Sequence, residues 1–101
     1  MGFASADEGH AALSGALTFA TAPDLVAEGE RLLAARAQGE PFQIDLAGVD
    51  GADSAGLALL IGWLAEARRL GVSLRYSAVP ERLMAIARIS EVESLLAGEP
   101  A

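Results

Sequence analysis

Asp50-Gly51-Ala52-Asp53-Ser54-Ala55-Gly56-Leu57 is the stretch that decides the fold. On its N-terminal side Phe42, Ile44 and Leu46 alternate with Gln43 and Asp45, the period-two pattern of a strand with one wetter face. On its C-terminal side an apolar-periodic segment runs to Arg69 and stops at Gly71, a residue suited to the left-handed position that ends a helix. The stretch therefore reads as a polar turn joining a strand to a helix. Its Asp and Ser stand where backbone N–H groups lack partners and the helix dipole is positive. Asp53 or Ser54 can cap the helix there. A hydroxyl in that place can equally contact a partner or carry a phosphate.

Further elements alternate on both sides. Residues 3–5 give a short strand, and residues 12–17 a longer one broken at Gly15. Thr21-Ala22-Pro23-Asp24 has the form of a capping box, with Thr21 accepting from a free N–H and Asp24 reaching back. Pro23 fits a first turn, where its missing N–H costs little. Leu25, Gly29, Leu32, Leu33 and Arg36 follow at helical spacing, and Gly39-Glu40-Pro41 ends that helix. Beyond Gly71, residues 72–76 alternate as a strand. Pro80 opens a helix whose apolar content is Leu83, Met84, Ile86, Ala87 and Ile89, and Ser90 or Glu91 starts a short last helix with Val92, Leu95 and Leu96. The pattern predicts one α/β domain over residues 1–101: a mixed β-sheet of about four strands with about four helices. Right-handed crossovers would set the strands at 42–46 and 72–76 parallel.

The helix after the turn has more apolar surface than one side of a sheet requires. Leu57, Leu60, Ile61, Leu64 and Arg68 trace the expected core face. Ala55, Leu59, Gly62 and Trp63 trace a second face. Either neighbouring helices cover that face or it binds a partner, with Trp63 as an anchor of the kind enriched at interface hot spots. Gly62 would let a partner backbone approach closely, at a cost of ~1 kcal/mol in helix propensity.

Composition removes several function classes. There is no cysteine, so neither disulfides nor thiolate chemistry are available. There is no lysine, which removes a P-loop lysine and Schiff-base chemistry, and His10 is the lone histidine, placed in a turn region as a solvated residue. No metal-ligand cluster, glycine-rich phosphate loop or Ser/His/Asp set is present, so no enzyme, no metal and no cofactor is expected. A net charge of −7 argues against nucleic acid and against anionic lipid, and favours a basic surface on a partner protein. The longest apolar run, residues 55–65, is about half the ~20 residues a membrane-spanning helix needs, so no direct membrane insertion is expected. Residues 1–8 lack the basic and long apolar regions of a signal peptide, so no export is expected either. The hydrophobic fraction of 52% suits either a tightly packed α/β core or a core with an apolar interface besides.

The pattern Asp-Leu-x-x-Val-x-x-x-Asp-Ser-Ala-Gly-Leu, Asp45 to Leu57, resembles the signature of the STAS domain. Leu13-Ser14-Gly15-Ala16-Leu17-Thr18-Phe19 is similar to that family's early strand-Gly-x-Leu segment, and the resemblance covers nearly the whole chain. The run Ala55-Gly56-Leu57-Ala58-Leu59-Leu60 is closer to one branch, MlaB, the small STAS subunit of the Mla phospholipid-transport ABC system. The resemblance implies a STAS fold and two functions. One is a cytoplasmic scaffold that binds the transporter's ATPase subunit, MlaF-like, and through it sits on the membrane permease and the inner membrane. The other is an anti-sigma factor antagonist switched by a kinase. In that class the serine after the motif Asp is phosphorylated, and Ser54 matches it, although Ala55 stands where a second serine is common. The partner-binding residues expected on the scaffold reading are Asp53, Ser54, Ala55, Gly56, Leu59, Gly62 and Trp63.

Overall fold

A computed structural model describes residues 2–6, 9–36, 38–92 and 96. Its elements are β1 (Gly2–Ala6), β2 (His10–Leu17), α1 (Ala22–Ala34), β3 (Pro41–Ala52), α2 (Ser54–Leu70), β4 (Ser73–Ser77) and α3 (Glu81–Ile89). Strands β2, β3 and β4 form a parallel sheet in that order, and β1 joins it antiparallel beside β2. Both parallel crossovers step the same way across the sheet, so right-handed connections bring α1 and α2 to one face. Burial along β3 agrees: Phe42, Ile44 and Leu46 are buried, while Gln43 and Ala47 on the other face are exposed. Three helices lie among the described residues. The expected last helix falls mostly outside them: Ser90 instead ends α3, and Glu91 adopts a left-handed φ of 62°.

The decisive turn is shorter than the sequence suggests. Asp50, Gly51 and Ala52 belong to β3, because β2 keeps pairing with it to the end: Ala16 faces Gly51 and Leu17 faces Ala52. Only Asp53 stands between strand and helix. The capping box at Thr21 does not form either. The Thr21 hydroxyl donates to the Ala16 carbonyl at 2.8 Å and accepts from the Thr18 N–H at 3.0 Å, so it ties the β2–α1 loop together and leaves the α1 N-terminus without a side-chain cap. Pro23 does lie in the first turn of α1, but that helix ends at Ala34, before Gly39. At the other end of α2, Gly71 takes the left-handed conformation with φ 76°, and the last turn carries Arg68 and Arg69, which suits the negative end of the dipole.

The core face of α2 is turned from the one expected. Leu57, Leu60, Trp63 and Ala67 are buried, with Gly56 and Leu59, whereas Ile61 and Leu64 are only partly covered. Trp63 is 1% exposed. Its indole lies across α1, where Gly29 leaves room; a Cβ at Gly29 would come within 2.1 Å of the Trp63 ring. The indole N–H donates to the Val26 carbonyl at 3.4 Å, and Phe3 of β1 meets the ring from another side, centroids 5.7 Å apart. Trp63 is therefore the wedge between α1, α2 and β1, not an exposed anchor. On the far side of α2 the Tyr76 hydroxyl donates to the Leu60 carbonyl at 2.6 Å, fastening β4 to the helix, and burial holds that phenol well above its ordinary pKa.

Candidate functional site

The turn after β3 lies at the carboxyl ends of the parallel strands, the edge where α/β sheets place their sites. Asp53 organises it with both carboxylate oxygens. Oδ1 accepts from the N–H groups of Ala55 at 2.9 Å and Gly56 at 3.1 Å, capping α2. Oδ2 accepts from the Phe19 N–H at 3.2 Å, which fixes the β2–α1 loop against the helix start. The backbone adds a link, Asp53 N–H to the Leu17 carbonyl at 3.3 Å. Loss of water pushes the Asp53 carboxyl up. The N–H groups of Phe19, Gly56 and Ala55, with the charge of Arg82, outweigh that push and hold it below the ordinary carboxylate value.

That direction sets a pH dependence. A carboxyl whose pKa is lower folded than unfolded adds stability above the unfolded value, and the gain disappears as pH falls through the folded value. Asp53→Ala should be clearly less stable than the parent near neutral pH, and the two melting curves should converge in strong acid. A gap that persists undiminished in acid would mean that the charge of Asp53 is not what holds the turn.

Gly56 explains part of the motif. The first turn of α2 presses on the end of β2 so closely that a Cβ at Gly56 would lie 2.1 Å from the Leu17 carbonyl oxygen. Gly56, expected among the partner-binding residues, is thus a packing position buried within the chain. Leu59 is also buried, at 7% exposure. Ser54 is exposed at the first position of α2, with its side chain beyond the capping bonds that Asp53 already makes.

Ser54 borders a shallow hollow of about 390 Å³ shared with Ala52, Arg82, Ala85, Ile86 and Ile89. Arg82 Nε donates to the Ala52 carbonyl at 2.9 Å, and Arg82 also lines the hollow. Two side chains that the sequence reading left out of the site stand here. Phe19, whose N–H is held by Asp53, is 75% exposed, and Ile89 is 86% exposed. They are the most exposed large hydrophobics among the described residues; Ile89 lines the hollow with Asp53 and Ser54, and Phe19 is joined to the turn through its N–H on Asp53. Ile89 could have been flagged from spacing. It follows the buried Ala87 by two residues, about 200° round the helix, and so cannot share the core stripe of Leu83 and Ala87. Phe19 sits between the turn residues Thr18 and Thr21, and no periodicity marks it.

The remaining expected residues lie elsewhere. Ala55, Leu59, Gly62 and Trp63 line a separate groove of about 320 Å³ between α1 and α2, opposite Ala22, Val26 and Glu30. Leu59 and Trp63 form its floor, and Gly62 is exposed on its wall. Among the described residues no three His, Asp or Glu side chains gather where a metal could be held, and no helix is long and apolar enough to cross a membrane.

The turn geometry, the buried motif glycine and the parallel sheet suit one family, and a family model supports it: the model described as "Mlab, STAS domain" matches residues 2–97. The chain belongs to the MlaB-type STAS family. No curated protein matches it. STAS domains of this kind are generally non-catalytic, and the family points to an MlaB-like or an anti-sigma antagonist-like role. In this STAS domain the motif Asp53 is the cap, the motif Gly56 is the contact with β2, and Ser54 between them is exposed.

Proposed function

We propose that this chain is a non-catalytic accessory subunit. It binds and stabilises the cytoplasmic, MlaF-like ATPase of an ABC transporter that moves phospholipid and maintains outer-membrane lipid asymmetry. Through that ATPase it would sit beside the permease at the inner membrane. The single observation that carries this reading is the surface around Ser54: a small hydroxyl on a rigid helix start, with the exposed Ile89 in its hollow and the exposed Phe19 on the loop bonded to Asp53. Two bare apolar side chains beside a capped turn suit a protein interface better than a small-molecule site. A subunit that binds only the folded ATPase stabilises it by ~2.7 kcal/mol at a hundredfold excess over its dissociation constant.

Ser54→Arg tests the reading. The new side chain starts from an exposed position, and a cation in the first turn costs only ~0.3–1 kcal/mol against the helix dipole. The fold should survive and co-purification with an MlaF-type ATPase should be lost. A folded variant that still binds the ATPase with parental affinity would place the interface elsewhere.

One observation favours the second reading, an anti-sigma factor antagonist met by a kinase at Ser54. Arg82 shares the Ser54 hollow and could pair with a phosphate there. Against it, Asp53 already occupies the Ala55 and Gly56 N–H groups that would otherwise receive the phosphate, and its carboxylate would repel it. Phosphate mass spectrometry on protein from growing cells separates the two. A large fraction phosphorylated at Ser54, with binding that follows it, would replace the scaffold by the switch.

A further inference from the structure

We infer that the groove between α1 and α2 receives an α-helix of the same ATPase partner, one with bulky apolar side chains on the inserted face and Arg or Lys beside them. The inference rests on the reading of the Ser54 surface as the contact with that partner. Three observations carry it.

The first is shape. Ala22 and Val26 on α1 face Ala55, Ala58 and Gly62 on α2, so the walls run for about two helical turns, ~10 Å. Val26 is 39% exposed, while Leu59 and Trp63 close the floor. A trough of that length with low walls fits the side chains of one helix face, and a flat surface would not hold them.

The second is charge. Glu30 lies on the α1 lip of the groove and is exposed, and Asp24 is exposed in the first turn of the same helix. The Arg69 guanidinium that feels the Glu30 charge is already held by Glu66 through two hydrogen bonds. With a net charge of −7 on the chain, the complement to this lip is a cationic flank.

The third is continuity. Ala55 lines the groove and directly follows Ser54, so a partner seated at the Ser54 turn has the mouth of the groove within one helical turn. Gly62 agrees with a close visitor. A Cβ there would meet nothing within 4 Å among the described residues, so none of them requires the glycine, in contrast to Gly29 and Gly56.

The chain has no cysteine, so single cysteines can report on each surface. Ser54→Cys, Ala58→Cys and, on the exposed sheet edge, Arg75→Cys would be labelled with a maleimide, with and without a purified MlaF-type ATPase from the same organism. The expected result is several-fold slower labelling of both Ser54→Cys and Ala58→Cys in the complex, with Arg75→Cys unchanged. Gly62→Leu and Glu30→Lys should each weaken binding several-fold, the latter less at high salt. If Ser54→Cys is protected while Ala58→Cys reacts at its free rate, the groove inference is overturned and the proposed function stands. If neither is protected, both fall. If Ala58→Cys is protected by excess unlabelled chain alone, without ATPase, the occupant is a second copy and the helix assignment is overturned.

Discussion

Gly56→Ala should lower the melting temperature by about 10–20 °C, although it replaces a glycine inside a helix. The added methyl would sit 2.1 Å from the Leu17 carbonyl oxygen and 2.9 Å from its carbon. These are backbone atoms of a paired strand, and no rotamer change moves them. The helix start must shift, and the shift pulls the Ala55 and Gly56 N–H groups away from Asp53 Oδ1. Overpacking against fixed backbone lies at the upper end of ~1–3 kcal/mol, the weakened Asp53 cap adds ~1 kcal/mol, and the gain in helix propensity of ~1 kcal/mol offsets only part of the sum. A net loss of about 2–3 kcal/mol is a large share of the stability of a chain this size and corresponds to the stated shift. Gly62→Ala is the control on the same helix. It places the same methyl in open space and should stabilise the free domain by up to ~1 kcal/mol. Equal effects of the two substitutions would refute the close approach of α2 to β2.

Those two glycines also mark what the sequence could carry. The strand–turn–helix order, the Gly71 stop and the alternation of β3 were legible because each depends on local periodicity or on one residue's backbone freedom. The length of β3 was not. Residues 47–51, Val49 apart, are small or polar and look like a turn, yet they are held in a strand by pairing with β2, a partner more than thirty positions away. The face of α2 was misjudged for a related reason. A hydrophobic stripe identifies one buried side, but α2 lies between α1 and α3 over the sheet, and what decides its rotation is that Trp63 finds the gap left by Gly29. No spacing rule pairs a tryptophan with a glycine thirty-four residues earlier. At the site, Asp53 and Ser54 were readable as motif residues, while the second bond of Asp53, to the Phe19 N–H, depends on a loop brought in by the fold. The two glycines of α2 look alike in sequence and differ entirely in surroundings, one closed by the chain and one open.

On the proposed ATPase-binding reading, replacing Phe19 and Ile89 together by serine should leave the domain folded and cut affinity for that ATPase by about a thousandfold. At 75% and 86% exposure neither side chain contributes much to the core, and surface substitutions of that kind stay within ~0.5 kcal/mol of the parent. Their worth lies in what covers them. Phe19 is presented by a loop tied at both ends, through the Thr21 hydroxyl to the Ala16 carbonyl and through its own N–H to Asp53, so little ordering remains to be done on binding. Ile89 closes the last turn of α3 and lines the Ser54 hollow. Apolar anchors that become fully buried at the centre of an interface contribute ~2 kcal/mol or more each, and two of them acting independently give ~4 kcal/mol, the thousandfold stated. Titration calorimetry with the ATPase, alongside a melting curve of each free variant, reads both parts. Gln43→Ser on the exposed sheet face serves as the matched surface control and should change neither. If the double variant binds as tightly as the parent while Ser54→Arg does not, then Ser54 acts in isolation and the apolar rim is not the docking surface. If the double variant unfolds, the two side chains are structural in spite of their exposure, and their assignment to a partner fails on that ground.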